Sequence, residues 1–353
     1  MNLIEALGPV AKCVSAHAFP ELSNGILFVA EGQELTLSAT DLELSRVARI
    51  TLSEPVEAPI SVVLDGSLLL KFSGAAPGEE IRVEVAEGAV VLRAGRSRLT
   101  LKTLSGELYP TIPIAEGELL RDEAGDPLSA EVLAKMIERV AHAASTDLSR
   151  PNLASVAIQA AGLTTTDGHR LARAPAGLGP MNDALIPVSA LKVILKALGE
   201  QGAEVRLSPS KLSIVAPSST TITRLTDARY PDWGRVIPQE PPIQLFFFSA
   251  PEVLSALKRL RLVSGEVIIS GAEGESTITL SASGDGEGEE LIEINSAPLV
   301  SDLKIKISIP FISQALIVSD HWQVKAHYFG SDRPLLLLGE GLYALIMPMV
   351  LDK

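Results

Sequence analysis

The chain has 353 residues, 46% of them hydrophobic and 21% charged, a balance that lets two or three globular domains bury a sizeable core. No run approaches about 18 consecutive apolar residues, and Met1-Asn2-Leu3-Ile4-Glu5 has neither a cationic start nor an apolar core, so no membrane span and no secretory signal are expected. Cys13 is the only cysteine, which excludes an internal disulfide and a cysteine zinc site and fits a cytoplasmic protein, while a net charge of −13 argues against general affinity for nucleic acid.

In chain order, Pro9 to Ala18 reads as a helix with Pro9 in its first turn. Gly25 to Val29 and Leu35 to Leu37 read as strands, and Thr40-Asp41-Leu42-Glu43-Leu44 follows. Asp65 to Phe72 reads as a short helix. Ile81 to Val85, Ala89 to Leu92 and Arg98 to Leu101 alternate as strands, and Tyr109-Pro110 closes the unit. Ala115 to Pro127, polar and acidic with Gly117, Gly125 and Pro127, reads as a linker. Ser129 is placed to cap a helix whose apolar face is Val132, Leu133, Met136, Ile137 and Val140. Val156 to Ala160 and Leu163 to Thr166 are strands. Thr166-Asp167-Gly168-His169-Arg170-Leu171-Ala172 comes next. Ser189 to Leu198 is a second helix, followed by strands Glu204 to Leu207 and Lys211 to Val215 and by Tyr230-Pro231-Asp232-Trp233.

The last third opens with Ser249-Ala250-Pro251-Glu252, which has the pattern of a capping box. Val253, Leu254 and Leu257 form that helix's apolar face. Val267 to Ser270 and Thr277 to Ser281 are strands. Ser283 to Glu290 is a Gly- and acid-rich turn; its acids lack the ligand spacing of a calcium hand, so it reads as a solvated hairpin. Pro310 to Val318 is a short helix, and Trp322 to Tyr328 and Leu342 to Leu351 are strand-like.

The letters repeat. Glu131-Val132-Leu133 returns as Glu252-Val253-Leu254 and Tyr109-Pro110 as Tyr230-Pro231, both 121 residues on. Thr40-Asp41 returns as Thr166-Asp167, 126 residues on, and Ile186-Pro187 as Ile309-Pro310, 123 on. Such a period is too long for a solenoid and suits a domain used three times, helix, strands, short helix, strands. Asp167 and His169, two apart, suggest a hydrolytic centre. They equally suit a turn, because Gly tolerates positive φ and Asp bonds its own backbone. A hydrolase reading supplies no third ligand or nucleophile nearby and leaves the threefold repeat unexplained.

With Ala39-Thr40-Asp41-Leu42-Glu43, Gly95-Arg96-Ser97-Arg98, Thr166 to Ala172, Tyr230-Pro231-Asp232 and Met347-Pro348-Met349 in order along its whole length, the chain resembles the beta subunit of bacterial DNA polymerase III, the sliding clamp. The resemblance implies an α+β fold of three similar clamp domains, taken as 1–118, 119–241 and 242–353. Each would carry two short helices on antiparallel sheets, and two chains would join head to tail in a closed ring. It implies a homodimer encircling duplex DNA without sequence preference, no catalysis and no cofactor. Its partners would be the replicative polymerase subunit, the clamp loader and repair polymerases. No phosphate-cradling Gly-Lys-Ser/Thr loop is present, so loading would rest on a separate ATP-driven loader. A specialised second clamp serving repair or a mobile element is the alternative within the family.

Charge division gives the ring reading a physical basis. The six helix candidates hold nine Lys or Arg against five Asp or Glu, or +4, which leaves −17 elsewhere. Helices lining a bore would present mild positive charge to DNA, with Lys71, Lys135, Arg139, Arg150, Lys192, Lys196 and Lys258 facing it. By motif match, a pocket for a short apolar peptide would use Leu153, Thr166, Gly168, His169, Arg170, Leu171, Pro238, Ile243, Leu345, Ile346, Met347, Pro348 and Met349, with Pro334 at its border. The seam between chains would set Leu99 and Leu101 against Leu262 and Val263. Two departures stand out. Val350 follows Met349 where the family often has Arg, with Asp352 and Lys353 beyond. Pro151 and Asn152 stand where some relatives carry aromatic residues near DNA, leaving Arg150 as that loop's candidate.

Overall fold

The computed structural model describes residues 3–14, 25–75, 81–86, 88–179, 181–319 and 322–351. One succession of elements comes three times. The first is α1 (Leu3–Val10), β1 (Gly25–Glu31), β2 (Glu34–Thr40), β3 (Leu44–Thr51), β4 (Ile60–Asp65), α2 (Gly66–Ala75), β5 (Arg82–Ala86), β6 (Ala89–Ala94) and β7 (Ser97–Lys102). Two short strands follow, β8 (Leu104–Ser105) and β9 (Glu118–Leu119). The second is α3 (Ala130–Ala141), β10 (Ser155–Gln159), β11 (Gly162–Thr166), β12 (Arg170–Pro175), β13 (Ala184–Pro187), α4 (Leu191–Leu198), β14 (Glu204–Leu207), β15 (Lys211–Ala216) and β16 (Ser219–Arg224). After β17 (Gln244–Ser249) the third is α5 (Ala250–Leu260), β18 (Glu266–Gly271), β19 (Thr277–Ser283), β20 (Glu287–Glu293), β21 (Leu303–Ser308), α6 (Ile309–Ile317), β22 (Gln323–Tyr328), β23 (Leu335–Gly339) and β24 (Leu342–Ile346).

The strands pair antiparallel, and the sheets do not follow the repeats. One sheet runs β8-β4-β1-β2-β3-β16-β15-β14-β9, and another β13-β10-β11-β12-β24-β23-β22-β17. Smaller sheets run β20-β19-β18-β21 and β5-β6-β7. In each large sheet, the third strand after one repeat's first helix bonds to the last strand of the next repeat. Ala48 faces Ser219 where β3 meets β16, and Leu171 faces Leu345 where β12 meets β24. The chain accordingly forms two compact units, residues 1–121, 127–133 and 189–225 in one, and 122–126, 134–188 and 226–353 in the other. The second repeat contributes to both.

Alternation decides the cores. On β17 and β22, Phe246, Phe248, Val324 and Ala326 turn to the side where Val253, Leu257, Ile312 and Leu316 of α5 and α6 lie buried. A second, smaller cluster covers the opposite face of the β12–β24 seam, where Leu171, Phe329, Leu336 and Leu345 pack with Trp233 and Ile237.

Several expectations are corrected. The first helix begins at Leu3, because Ala6, Leu7 and Val10 make the buried stripe, so Pro9 lies near its end, and residues 15–18 lie outside those described. Ala115 to Pro127 is not a free linker: Leu119 and Leu120 pull it in, β9 pairs with β14, and Leu120 is buried. Val132 is exposed, away from the buried Leu133, Met136, Ile137 and Val140. Ser249 occupies the N-cap of α5 but makes no side-chain cap bond. The acid-rich run is half strand, Glu287 onward forming β20, and β24 stops at Ile346 ahead of Pro348.

Candidate functional site

The turn from Thr166 to Arg170 is built by its own side chains. Asp167 Oδ1 accepts the backbone N–H of His169 at 2.9 Å and of Arg170 at 3.0 Å. Gly168 N–H donates to Thr166 Oγ1 at 3.1 Å, and the Thr166 hydroxyl donates to Arg170 O at 2.7 Å. Gly168 has φ +96°, the left-handed region where glycine is unstrained. The first repeat folds the same way: Asp41 Oδ1 accepts from Glu43 and Leu44, and Leu42 N–H donates to Thr40 Oγ1. There Leu42 itself carries the positive φ, +76°. A turn made twice with the same three backbone N–H bonds to its Thr and Asp side chains, once with Leu-Glu in place of Gly-His, is a structural device. His169 is exposed and among the described residues no group of three His, Cys, Asp or Glu is placed to hold a metal. The hydrolytic reading has no geometry to support it.

The turn fixes Arg170. Its Nε donates to Asp167 Oδ2 at 2.9 Å, a largely buried pair; its guanidinium lies 4.3 Å from the centre of the Phe311 ring and bonds Gln314 on α6. The main chain beyond β24 is pinned beside it, with Met347 N–H donating to His169 O at 2.9 Å and Met349 N–H to Lys306 O at 2.8 Å. Between these parts opens a cleft of about 360 Å³ lined by His169, Gly265, Glu266, Ser308, Phe311 and Met347-Pro348-Met349. Met347 and Met349 remain more than a third exposed, so adaptable apolar surface faces an open space.

Of the expected pocket residues, His169, Met347, Pro348 and Met349 line this cleft, Arg170 sets its floor through Phe311, and Thr166 and Gly168 hold the turn. Ile243 is exposed, and Leu153 and Pro238 are half-buried, but none of the three lines it. The rest lie elsewhere. Leu171 and Leu345 are buried against each other on the opposite face of the sheet, Ile346 points into the core beneath α6, and Pro334 is buried. Period-two alternation forces this, because Ile346 and Leu345 cannot share a face. Phe311, Ser308 and Glu266 are wall residues that the sequence reading missed. Phe311 directly follows Ile309-Pro310, a repeated word whose C-terminal neighbour was the available signal.

Lys71, Lys135, Lys192, Lys196 and Lys258 lie on exposed helix faces, and Arg139 is half-buried. Arg150 is exposed and pairs with Asp147 at 3.2 Å. Arg259, counted among the helix cations, is held by Glu290 through two bonds of 2.6 and 2.7 Å. Leu262 is 83% exposed, whereas Val263 packs on the core around α5. Leu101 is buried opposite Val90, and half-buried Leu99 lies opposite Leu92, both on β7.

Residues 1–113 match the family model of the DNA polymerase III beta subunit, N-terminal domain, and residues 127–232 that of its central domain, together more than half the chain. The beta sliding clamp of Pseudomonas putida is 28% identical over 98% of this chain and 97% of its own length; that of Staphylococcus aureus is 26% identical over 98% and 96%. Among solved structures, the Thermotoga maritima DNA polymerase III beta subunit superimposes with a TM-score of 0.88 at 22% identity, covering 99% of this chain and 98% of that one. A Pseudomonas aeruginosa sliding clamp bound to griselimycin gives 0.87 at 24% identity, covering 99% and 97%. With both family models matched in their proper order and the fold shared end to end, the chain belongs to the bacterial DNA polymerase III beta-subunit family, the sliding clamps.

Proposed function

We propose that this chain works as a homodimeric ring around duplex DNA that tethers a replicative polymerase and repair polymerases. Its three domains would be residues 1–118, 119–241 and 242–353. The observation that carries the reading is an unfinished pattern of sheet edges. Within the chain, β3 joins β16 and β12 joins β24, each time the third strand of one repeat with the last strand of the next. By the same rule, among the described residues β20 lacks a mate, and β7, the last strand of the first repeat, lacks one too; both stand at the ends of their sheets. A second copy supplies both missing partners at once, and two identical seams close on a two-fold axis. Charge supports the match: Arg96, Arg98 and Lys102 lie in or beside β7, and Glu293 lies at the end of β20.

In that ring the cleft beside His169 takes the apolar residues of a polymerase or loader peptide. Lys71, Lys135, Arg139, Arg150, Lys192, Lys196 and Lys258 offer sequence-independent phosphate contacts. Retention comes from topology, so the net charge of −13 is no obstacle. The chain itself does no chemistry. The test is retention on a nicked circular plasmid after loading, before and after linearisation, with Arg98→Glu, Leu262→Glu as a seam-broken control. The unaltered protein stays on circles and slides off linear DNA, and the double variant sediments as a monomer and is not retained. Equal lifetimes on circular and linear DNA with free ends would overturn the proposal.

A further inference from the structure

Three sheets of this chain share one register. Leu27 of β1 lies between Ser38 of β2 and Val63 of β4; Ala157 of β10 lies between Thr164 of β11 and Leu185 of β13; Ile268 of β18 lies between Ser281 of β19 and Lys306 of β21. In the first two sheets the face bearing this row, away from the helices, is covered by the segment carrying the repeated Tyr-Pro word. Tyr109 donates its hydroxyl to Gly25 O at 3.0 Å, and the Thr40 N–H approaches that hydroxyl at 3.3 Å. The segment packs so closely that a Cβ on Gly106 would collide with Ser61 and contact Leu27. Tyr230 is buried on Ala157 and Leu185 with its hydroxyl beside the Thr166 backbone, and Trp233 donates to Gln159 at 2.8 Å.

Counting along the same register, Gly25 and Ser155 correspond to Glu266, and Thr40 and Thr166 to Ser283. In the third sheet those positions line a groove of about 420 Å³ together with Ile268, Ser281 and Lys306. No described segment of the chain lies in it. Its size is within the roughly 300–1,000 Å³ range of binding pockets. Its charge is acidic: Lys306 is paired with Glu266 at 2.7 Å, while Glu287 and Glu289 on the same wall are exposed.

We infer that this groove on β18–β21 is a docking site for an extended segment of a partner protein that carries a Tyr-Pro word beside a cationic residue, laid down as the chain's own Tyr-Pro segments lie on the two equivalent sheets. The tyrosine ring covers Ile268 and Ser281, its hydroxyl is directed to the Glu266 carbonyl and the Ser283 N–H, and the cation meets Glu287 and Glu289. The chain's own Arg229-Tyr230-Pro231 has this chemistry. The groove adjoins the cleft at His169, with Glu266 lining both, but Ile268, Ser281, Glu287 and Glu289 line the groove alone.

The probe is a fluorescein-labelled peptide copying residues 227–237, titrated against the full chain by anisotropy. The copied segment in the chain stays seated on its own sheet, because its attachment gives it a high effective concentration. The free peptide therefore reports on the open groove. Replacing its tyrosine by alanine is expected to weaken binding at least tenfold. So are Ser281→Arg and Ile268→Lys in the protein, with sedimentation and circular dichroism unchanged. The inference is overturned by no binding up to about 1 mM, by equal affinity for the two peptides, or by unaltered affinity in both groove variants. It is also overturned if the groove variants change the oligomeric state, since the face would then be occupied by a second copy.

Discussion

Arg46 offers a direct measure of what holds the β3–β16 seam. The side chain is 1% exposed, and its guanidinium bonds Thr221 and Ser219 on β16 and pairs with Glu200, which also accepts from Ser219. Glu200→Gln keeps the volume and the hydrogen-bonding shape but strands a buried cation whose Nε already has no partner. Removing one member of a buried pair costs roughly 3–5 kcal/mol. Glu200 is 22% exposed, so water recovers part of that, and about 3 kcal/mol is expected. For a unit of this size that is a fall of roughly 6–12 °C in Tm. The pair replaced together, Arg46→Met with Glu200→Gln, buries no unpaired charge and is expected within about 1 kcal/mol of the unaltered protein. Both tryptophans, Trp233 and Trp322, belong to the other compact unit, so urea unfolding followed by circular dichroism beside tryptophan fluorescence locates the loss. A loss under about 1 kcal/mol in Glu200→Gln, or a double variant as unstable as the single, would refute the reasoning.

Three further outcomes are expected. Met347→Ala removes apolar wall from the cleft and weakens a polymerase-type apolar peptide by about 1–3 kcal/mol, read by peptide titration, while Asp167→Asn has the smaller effect on binding. His142 has both ring nitrogens buried without partners, and burial, then the Arg170 charge, lowers its pKa from 6.5 to about 4. The unfolded chain takes up that proton first, so the stability is fully present above pH 6.5 and about 3 kcal/mol of it is lost between pH 6.5 and 4; His142→Leu is expected to flatten that stretch of a stability–pH profile. Leu42→Gly relieves a positive φ and is expected to stabilise or be neutral, whereas Gly168→Ala costs about 1–2 kcal/mol, measured by thermal melts.

What could be read from the letters was local. Period-two alternation located most strands, and the Thr-Asp words marked a turn that the first two repeats share. Met347-Pro348-Met349 was legible only as a word of the family resemblance, and all three residues line the cleft. Long-range partners were not legible. Nothing around Arg46 announces Glu200, 154 residues away, and nothing around Arg170 announces Phe311. A motif match does not say which way a side chain points, and Ile346 turns into the core while its neighbour Leu345 turns to the other face. The Ser249 cap failed because its pattern was present and its side-chain bond was not.

The two large sheets are each assembled from parts of successive repeats, and that has a consequence for dissecting the protein. A fragment cut at the repeat boundaries, such as residues 119–241, would expose the long edges of β12 and β16, both stripped of their mates. Such edges recruit other chains. The compact units interleave along the chain, so a contiguous fragment that keeps the β3–β16 seam must span the first two repeats, and one that keeps the β12–β24 seam must span the last two. The repeated unit and the compact unit do not coincide, and expression of the repeats singly is expected to yield aggregates.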